Sequence, residues 1–178
     1  MRIVSGKFKG KRIVAPKKLP IRPTKDMAKE ALFNILANRV HFSSLSVLDL
    51  FAGSGNISYE FASRGTENLI AVDANYNCIK FISQTSNQLE TPINTIKSDV
   101  FSYLETCKQK FDLIFADPPY DFETEKFQEI SHLVFSNNLV NEEGLLIIEH
   151  SKHTDLSTTK NFKEQRKYGG SVFSFFHT

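Results

Sequence analysis

Val47-Leu48-Asp49-Leu50-Phe51-Ala52-Gly53-Ser54-Gly55 runs from an apolar strand into a glycine turn, and the architecture of the chain follows from it. Val47–Phe51 is apolar except for Asp49 and reads as a short buried strand. Two glycines break the run. A helical pattern then lasts to about Arg64, where Gly65 closes it. Strand, glycine turn and helix form the opening of a βα unit, and glycine there lets backbone come close to a ligand. The unit recurs downstream. Leu69–Val72 is a strand followed by a helix from Asn75 to about Leu89. Ile93–Lys97 is a third strand and Phe101–Cys107 a short helix. Phe111–Ala116 is the fourth strand, Thr124–Phe135 is helical, and Leu145–Glu149 is a fifth strand. Short apolar strands alternating with helices imply a parallel sheet covered on both faces.

Both ends depart from that alternation. Arg22-Pro23-Thr24 leads into a helix ending near Val40, with Thr24 as its N-cap. Met27, Ala31 and Ile35, flanked by Ala28, Leu32 and Leu36, form an apolar stripe at helical spacing that is expected to face the core. Near the other end, Lys163–Tyr168 and Ser171–Phe176 flank Gly169-Gly170 and read as an antiparallel hairpin. A terminal hairpin departs from the dinucleotide-binding fold, which ends on another parallel unit.

At 178 residues the chain is long enough for one domain with a sizeable core. It contains no apolar run of the roughly 20 residues that a membrane span needs, and no apolar stretch follows its basic start as in a signal peptide. Cys78 and Cys107 stand alone, without histidines at metal spacing. Reduced thiols, a cytoplasmic location and no metal site are expected. His150, just past the fifth strand, reads as an exposed loop histidine. Charge is unevenly spread. Residues 1–25 hold nine Lys or Arg and no acid, whereas the other 153 residues hold 13 basic and 20 acidic side chains. Lys7, Lys9, Lys11 and Arg12 alternate with Ile3, Val4, Phe8, Ile13 and Val14 around Gly6 and Gly10. The pattern suggests a small basic β-hairpin that contacts nucleic acid. Two domains are expected, a nucleic-acid-contacting extension over 1–22 and an α/β domain over 23–178.

Carboxylates stand at four successive strand ends: Asp49, Asp73, Asp99 and Asp117. Asp73 is placed to accept from ribose hydroxyls. Asp99 is placed for an exocyclic adenine amine, with the Val100 N–H on a ring nitrogen. Each is also a plausible cap or turn residue when taken alone. The third glycine of the dinucleotide fingerprint is replaced by Ser58. The set suits an adenosine bearing a positive charge rather than a polyphosphate. Asp117-Pro118-Pro119-Tyr120 ends the fourth strand, because proline has no N–H and a fixed φ. The result is a stiff corner carrying an acid, a backbone carbonyl and an aromatic ring.

With these residues in view, the chain resembles a class I S-adenosylmethionine-dependent methyltransferase. Phe51-Ala52-Gly53-Ser54-Gly55 is similar to that superfamily's first cofactor motif, and Asp117-Pro118-Pro119-Tyr120 to its motif for amino-group methylation. More narrowly, it resembles the RsmD-type bacterial 16S ribosomal RNA guanine-N2 methyltransferases. That match rests on Gly6-Lys7-Phe8-Lys9-Gly10, Arg22-Pro23-Thr24, Glu30-Ala31-Leu32-Phe33-Asn34, Ser63-Arg64-Gly65 and Tyr168-Gly169. Lys29 stands where that family usually has Arg, Asn56-Ile57-Ser58 replaces a run of small apolar residues and Gly, and the last region is short and Phe-rich.

The resemblance implies a Rossmann-like α/β fold: a mostly parallel seven-stranded sheet, a C-terminal antiparallel hairpin and the N-terminal extension. It implies methyl transfer from S-adenosylmethionine to the N2 amine of a guanine in 16S rRNA, by resemblance guanine 966 of the small subunit. Asp117, Pro118 and Tyr120 would be catalytic. Asp49, Phe51, Gly53, Ser54, Gly55, Asp73, Asp99 and Val100 would hold the cofactor. Lys7, Lys9, Lys11, Arg12, Arg22 and Thr24 would meet RNA. The chain is expected to act as a monomer on the small ribosomal subunit or an assembly intermediate. Two alternatives remain open, a DNA adenine-N6 methyltransferase and an NAD-binding oxidoreductase.

Overall fold

In the computed structural model, which describes residues 1–19, 26–91 and 93–178, the apolar strands assemble into one seven-stranded sheet. The elements are α1 (Asp26–Ala37), β1 (Ser46–Leu50), α2 (Asn56–Ser63), β2 (Asn68–Asp73), α3 (Tyr76–Leu89), β3 (Ile93–Lys97), α4 (Val100–Thr106), β4 (Phe111–Ala116), α5 (Thr124–Ser136), β5 (Val140–Ser151), β6 (Phe162–Tyr168) and β7 (Ser171–Phe176). Spatially the strands run β3-β2-β1-β4-β5-β7-β6. The first five in that order pair in parallel, and β7 lies antiparallel to both β5 and β6. The expected α/β sheet and its terminal hairpin are therefore present, and Gly169 supplies the left-handed turn residue at φ 61°. Thr24, the expected N-cap of α1, lies outside the described residues, as does Arg22.

Chain direction across the sheet reverses between β1 and β4. From β1 the chain moves outward through β2 and β3, then returns to place β4 on the other side of β1. That reversal leaves a crevice at the carboxyl ends of β1 and β4, the usual ligand position in open α/β sheets. Alternating strand residues supply two cores. Val47, Leu69, Leu113 and Ile147 pack with α1, α2 and α3 on one face. Leu48, Ile70, Ile114 and Ile148 pack with α4 and α5 on the other.

Two expectations change on folding. The buried side of α1 is Ala28, Lys29, Leu32, Phe33 and Leu36, while Met27 is 62% exposed. The stripe is rotated from the one expected, because Lys29 finds a buried partner in Glu60 and so sits on the inner face. His150 is fully buried in β5, which extends to Ser151 because β7 pairs with it there. Its Nε2 meets the Ser174 hydroxyl at 2.7 Å and its Nδ1 the Ser151 carbonyl at 2.9 Å. Burial also lowers its pKa.

The N-terminal segment keeps its expected hairpin and adds contacts to α2. Among the described residues the antiparallel bridge of Arg2 with Arg12, together with bonds from the Ile3 N–H to the Lys11 carbonyl and from the Ile13 N–H to the Met1 carbonyl, joins its two arms as a short hairpin. Between the arms, the N–H groups of Val4, Ser5, Lys7 and Phe8 are taken by α2. Glu60 accepts from Val4 and Ser5 N–H at 2.8 and 3.0 Å. Ser63 accepts from Phe8 N–H through its hydroxyl and from Lys7 N–H through its carbonyl. Ile3 and Ile13 are buried in the core beside α1 and α2. The segment is thus seated on the sheet's helical layer, with Lys7, Lys9, Lys11 and Arg12 exposed.

Candidate active site

The glycine turn after β1 is held open by its own backbone. Phe51 has φ 59° and Gly53 φ 54°, followed by Gly55 at φ 80° as the N-cap of α2. A left-handed non-glycine residue costs on the order of 1–3 kcal/mol and persists where the surroundings over-determine it. Here the Ala52 N–H donates to the Val72 carbonyl and the Gly55 N–H to the Ala52 carbonyl, at 3.0 and 2.7 Å. The Gly53 N–H donates to Asp73 Oδ2 at 2.8 Å, and the Asn75 N–H to Oδ1 at the same distance. Asp73 thus ties the first turn to the second.

A cavity of about 690 Å³ opens over that turn. Asp49, Phe51, Gly53, Ser54, Asp73, Asp99 and Val100 line it from the β1–β3 side, and Asp117, Pro118 and Tyr120 from the β4 side. Every expected cofactor and catalytic residue borders this one space except Gly55. Gly55 is buried behind the wall, where a Cβ would meet the Tyr59 ring at 2.9 Å. Its part is to shape the turn. Asp99 does two things at once: it lines the cavity and accepts from Ser102 N–H at 3.0 Å as the N-cap of α4. Tyr120 is half-buried, and its hydroxyl lies 3.3 Å from the Ser171 hydroxyl.

Five aspartates border the cavity, and its described walls carry no Lys, Arg or His. A polyphosphate would meet repulsion from every side, whereas a cation would be drawn in. Asp49 is the deepest of the five at 2% exposed, and Ser58 donates to it. Desolvation raises its pKa to about 7. Its folded pKa lies above the ordinary 3.8, so the stability contributed by the protonated form is full below about pH 4 and is lost as pH rises through 7. The melting temperature of the ligand-free chain is therefore expected to fall between pH 5 and 8, and less so in Asp49→Asn. Equal slopes in the two proteins would show that Asp49 is ionised throughout.

Several lining residues were not foreseen. Asp121 and Phe122 follow the diproline corner directly, and extending the motif by two residues would have found them. Phe122 stands edge-on to Phe51 at 5.8 Å between ring centroids and stacks on Phe101 at 6.2 Å, making an aromatic wall. Asn56 also lines the cavity, and its side chain accepts from buried Lys29 at 2.8 Å. Two of the departures from the family pattern thus touch one another.

The family model described as "Conserved hypothetical protein 95" matches residues 1–177. The chain belongs to this family, the RsmD-type methyltransferases. Among its relatives, the ribosomal RNA small subunit methyltransferase D of Haemophilus influenzae is 32% identical, with 98% of this chain and 91% of that protein aligned. Among solved structures, a hypothetical protein of Thermus thermophilus superposes with a TM-score of 0.86 at 25% identity, over 100% of this chain and 99% of that one. The T. thermophilus 16S rRNA N2 G1207 methyltransferase, solved with AdoMet and guanosine, shares the fold at a TM-score of 0.74 and 18% identity, over 90% of this chain and 45% of that one. The chain thus has a Rossmann-like methyltransferase fold, with an antiparallel end to its sheet.

Proposed function

We propose that this RsmD-type protein transfers a methyl group from S-adenosylmethionine to the exocyclic N2 amine of a guanine in 16S rRNA. One observation carries the reading: the glycine turn and the diproline corner border a single cavity walled by carboxylates. That wall fits the cofactor, an adenosine bearing a sulfonium and an ammonium group. Asp99 and Val100 would hold its adenine, Asp73 its ribose and Asp49 its ammonium. When bound, it supplies an electrophilic methyl group.

The remaining chemistry belongs to the chain's own residues. An exocyclic purine amine is a poor nucleophile, because its lone pair is delocalised into the ring. The Asp117 carboxylate and the Pro118 carbonyl each accept one of its hydrogens, which localises the lone pair and directs it into the cavity. Asp117 need not be a strong base, since the amine becomes acidic only as the new bond forms. Tyr120 stacks on the base, worth roughly 1–3 kcal/mol. Holding two reactants in line contributes roughly 7–11 kcal/mol of barrier reduction. To enter, the guanine leaves its stack, as in other base-modifying enzymes. Lys7, Lys9, Lys11 and Arg12 hold the phosphate backbone from the seated segment, and Arg22 and Thr24 are assigned to the same RNA contact.

The test is tritium transfer from labelled cofactor to small ribosomal subunits that lack the modification, with the labelled nucleoside identified by mass. N2-methylguanosine at one site is the expected product. Label in N6-methyladenine of duplex DNA would move the assignment to a DNA methyltransferase. Binding of NAD with no binding of S-adenosylhomocysteine would move it to an oxidoreductase, a reading opposed by five carboxylates where a pyrophosphate would lie.

A further inference from the structure

The basic segment reaches the cavity by two routes. Ser54, on the cavity wall, donates its hydroxyl hydrogen toward Met1 Sδ at 3.7 Å. The second route is buried. Lys29 Nζ donates to the Arg2 carbonyl at 2.6 Å and to Asn56 Oδ1 at 2.8 Å, and lies 3.7 Å from Glu60 Oε2. The side chains of Lys29 and Glu60 are both fully buried. Glu60 holds the segment through the Val4 and Ser5 N–H groups, and Asn56 opens α2 at the cavity.

A buried ion pair is weak evidence for stability, since apolar residues of the same volume often do as well. An apolar residue could not, however, hold three groups together. Lys29 joins a carbonyl of the segment, the carboxylate that seats the segment and an amide on the cavity wall. With one lone pair of Oδ1 committed to Lys29, the orientation of the Asn56 amide on the cavity wall is set by the relay.

We infer that Lys29 is a positioning residue that couples the basic N-terminal segment to the cofactor cavity through Asn56. Seating the segment favours the wall geometry that binds cofactor, and cofactor binding favours the seated segment. Coupling of this kind is reciprocal, so a polyanion gripped by the seated segment raises cofactor affinity by the factor with which cofactor raises its own. The inference rests on the cavity being an S-adenosylmethionine site.

A double-mutant cycle on the whole chain tests it, read by calorimetric titration with S-adenosylhomocysteine. Gly6 is not on the cavity wall, but it sits against α2 at φ +83°, and an added Cβ would lie 1.8 Å from the Ser63 carbonyl oxygen. Gly6→Ala therefore unseats the segment and is expected to weaken binding about fivefold or more. In an Asn56→Ala background, where the relay is cut, the same change is expected to cost less than about twofold. Lys29→Met removes the centre of the relay while Glu60 keeps Arg64 at 3.0 Å and the Val4 and Ser5 N–H groups, and it is expected to uncouple the segment in the same way. If Gly6→Ala does not fold, Ser63→Ala takes its place, because it removes the Phe8 N–H and Ser5 carbonyl bonds to the Ser63 hydroxyl. An unchanged affinity on unseating the segment overturns the inference. So does a loss of equal size with and without Asn56 or Lys29. Failure of the wild-type chain to bind S-adenosylhomocysteine would instead overturn the reading of the cavity.

Discussion

Asp117→Ala is expected to abolish methyl transfer and to leave S-adenosylhomocysteine affinity within a few-fold of the wild type. The asymmetry follows from position. Asp117 leaves the end of β4, on the opposite side of the cavity from Asp73 and Asp99, which terminate or follow β2 and β3. A ligand held by the β1–β3 wall keeps its partners when Asp117 is truncated. The amine loses the group that accepts its hydrogen and sets its direction. Removing one well-placed polar partner costs about 10²–10³ in rate, by analogy with oxyanion-hole donors. Loss of in-line geometry adds to that. Single-turnover transfer measured beside calorimetric binding separates the two effects. A parallel loss of cofactor affinity would place Asp117 in the cofactor site instead.

Reversing the charges at Lys7, Lys9 and Lys11 together is expected to weaken RNA binding strongly and to flatten its dependence on salt. All three side chains are exposed, on a segment whose backbone is fixed to α2 by Glu60 and Ser63. Fixed backbone lets the charges act as a surface rather than as a loose tail. Removing one neutralised phosphate lowers the salt slope by about 0.7 for single strands. Filter binding of 16S rRNA fragments across a salt series measures the slope. A slope equal to that of the wild type would dismiss the segment as an RNA clamp.

Much of the site was legible before folding because its signals are local. Gly53 and Gly55 interrupt an apolar run, and Pro118-Pro119 ends another. Both breaks mark strand ends whatever the surroundings. Asp49, Asp73, Asp99 and Asp117 follow from that register, and all four border the cavity. The apolar pattern failed in α1, where Lys29 hides among Ala28, Leu32 and Phe33. No window of sequence around Lys29 contains Glu60 or Asn56, so nothing local marks it as buried. His150 misled for the same reason. Its partner Ser174 lies on β7, and β5 extends that far only because β7 is beside it.

The succession of elements, the parallel sheet with its antiparallel end and most of the residues that border the cavity could all be read along the chain. Periodicity and backbone stereochemistry act between near neighbours and need no partner. Strand order, the seat of the basic segment on α2 and the buried Lys29–Glu60–Asn56 cluster came from the folded molecule. Each depends on groups far apart in the chain, and a charge is tolerated inside only where a distant partner offsets the cost of removing it from water.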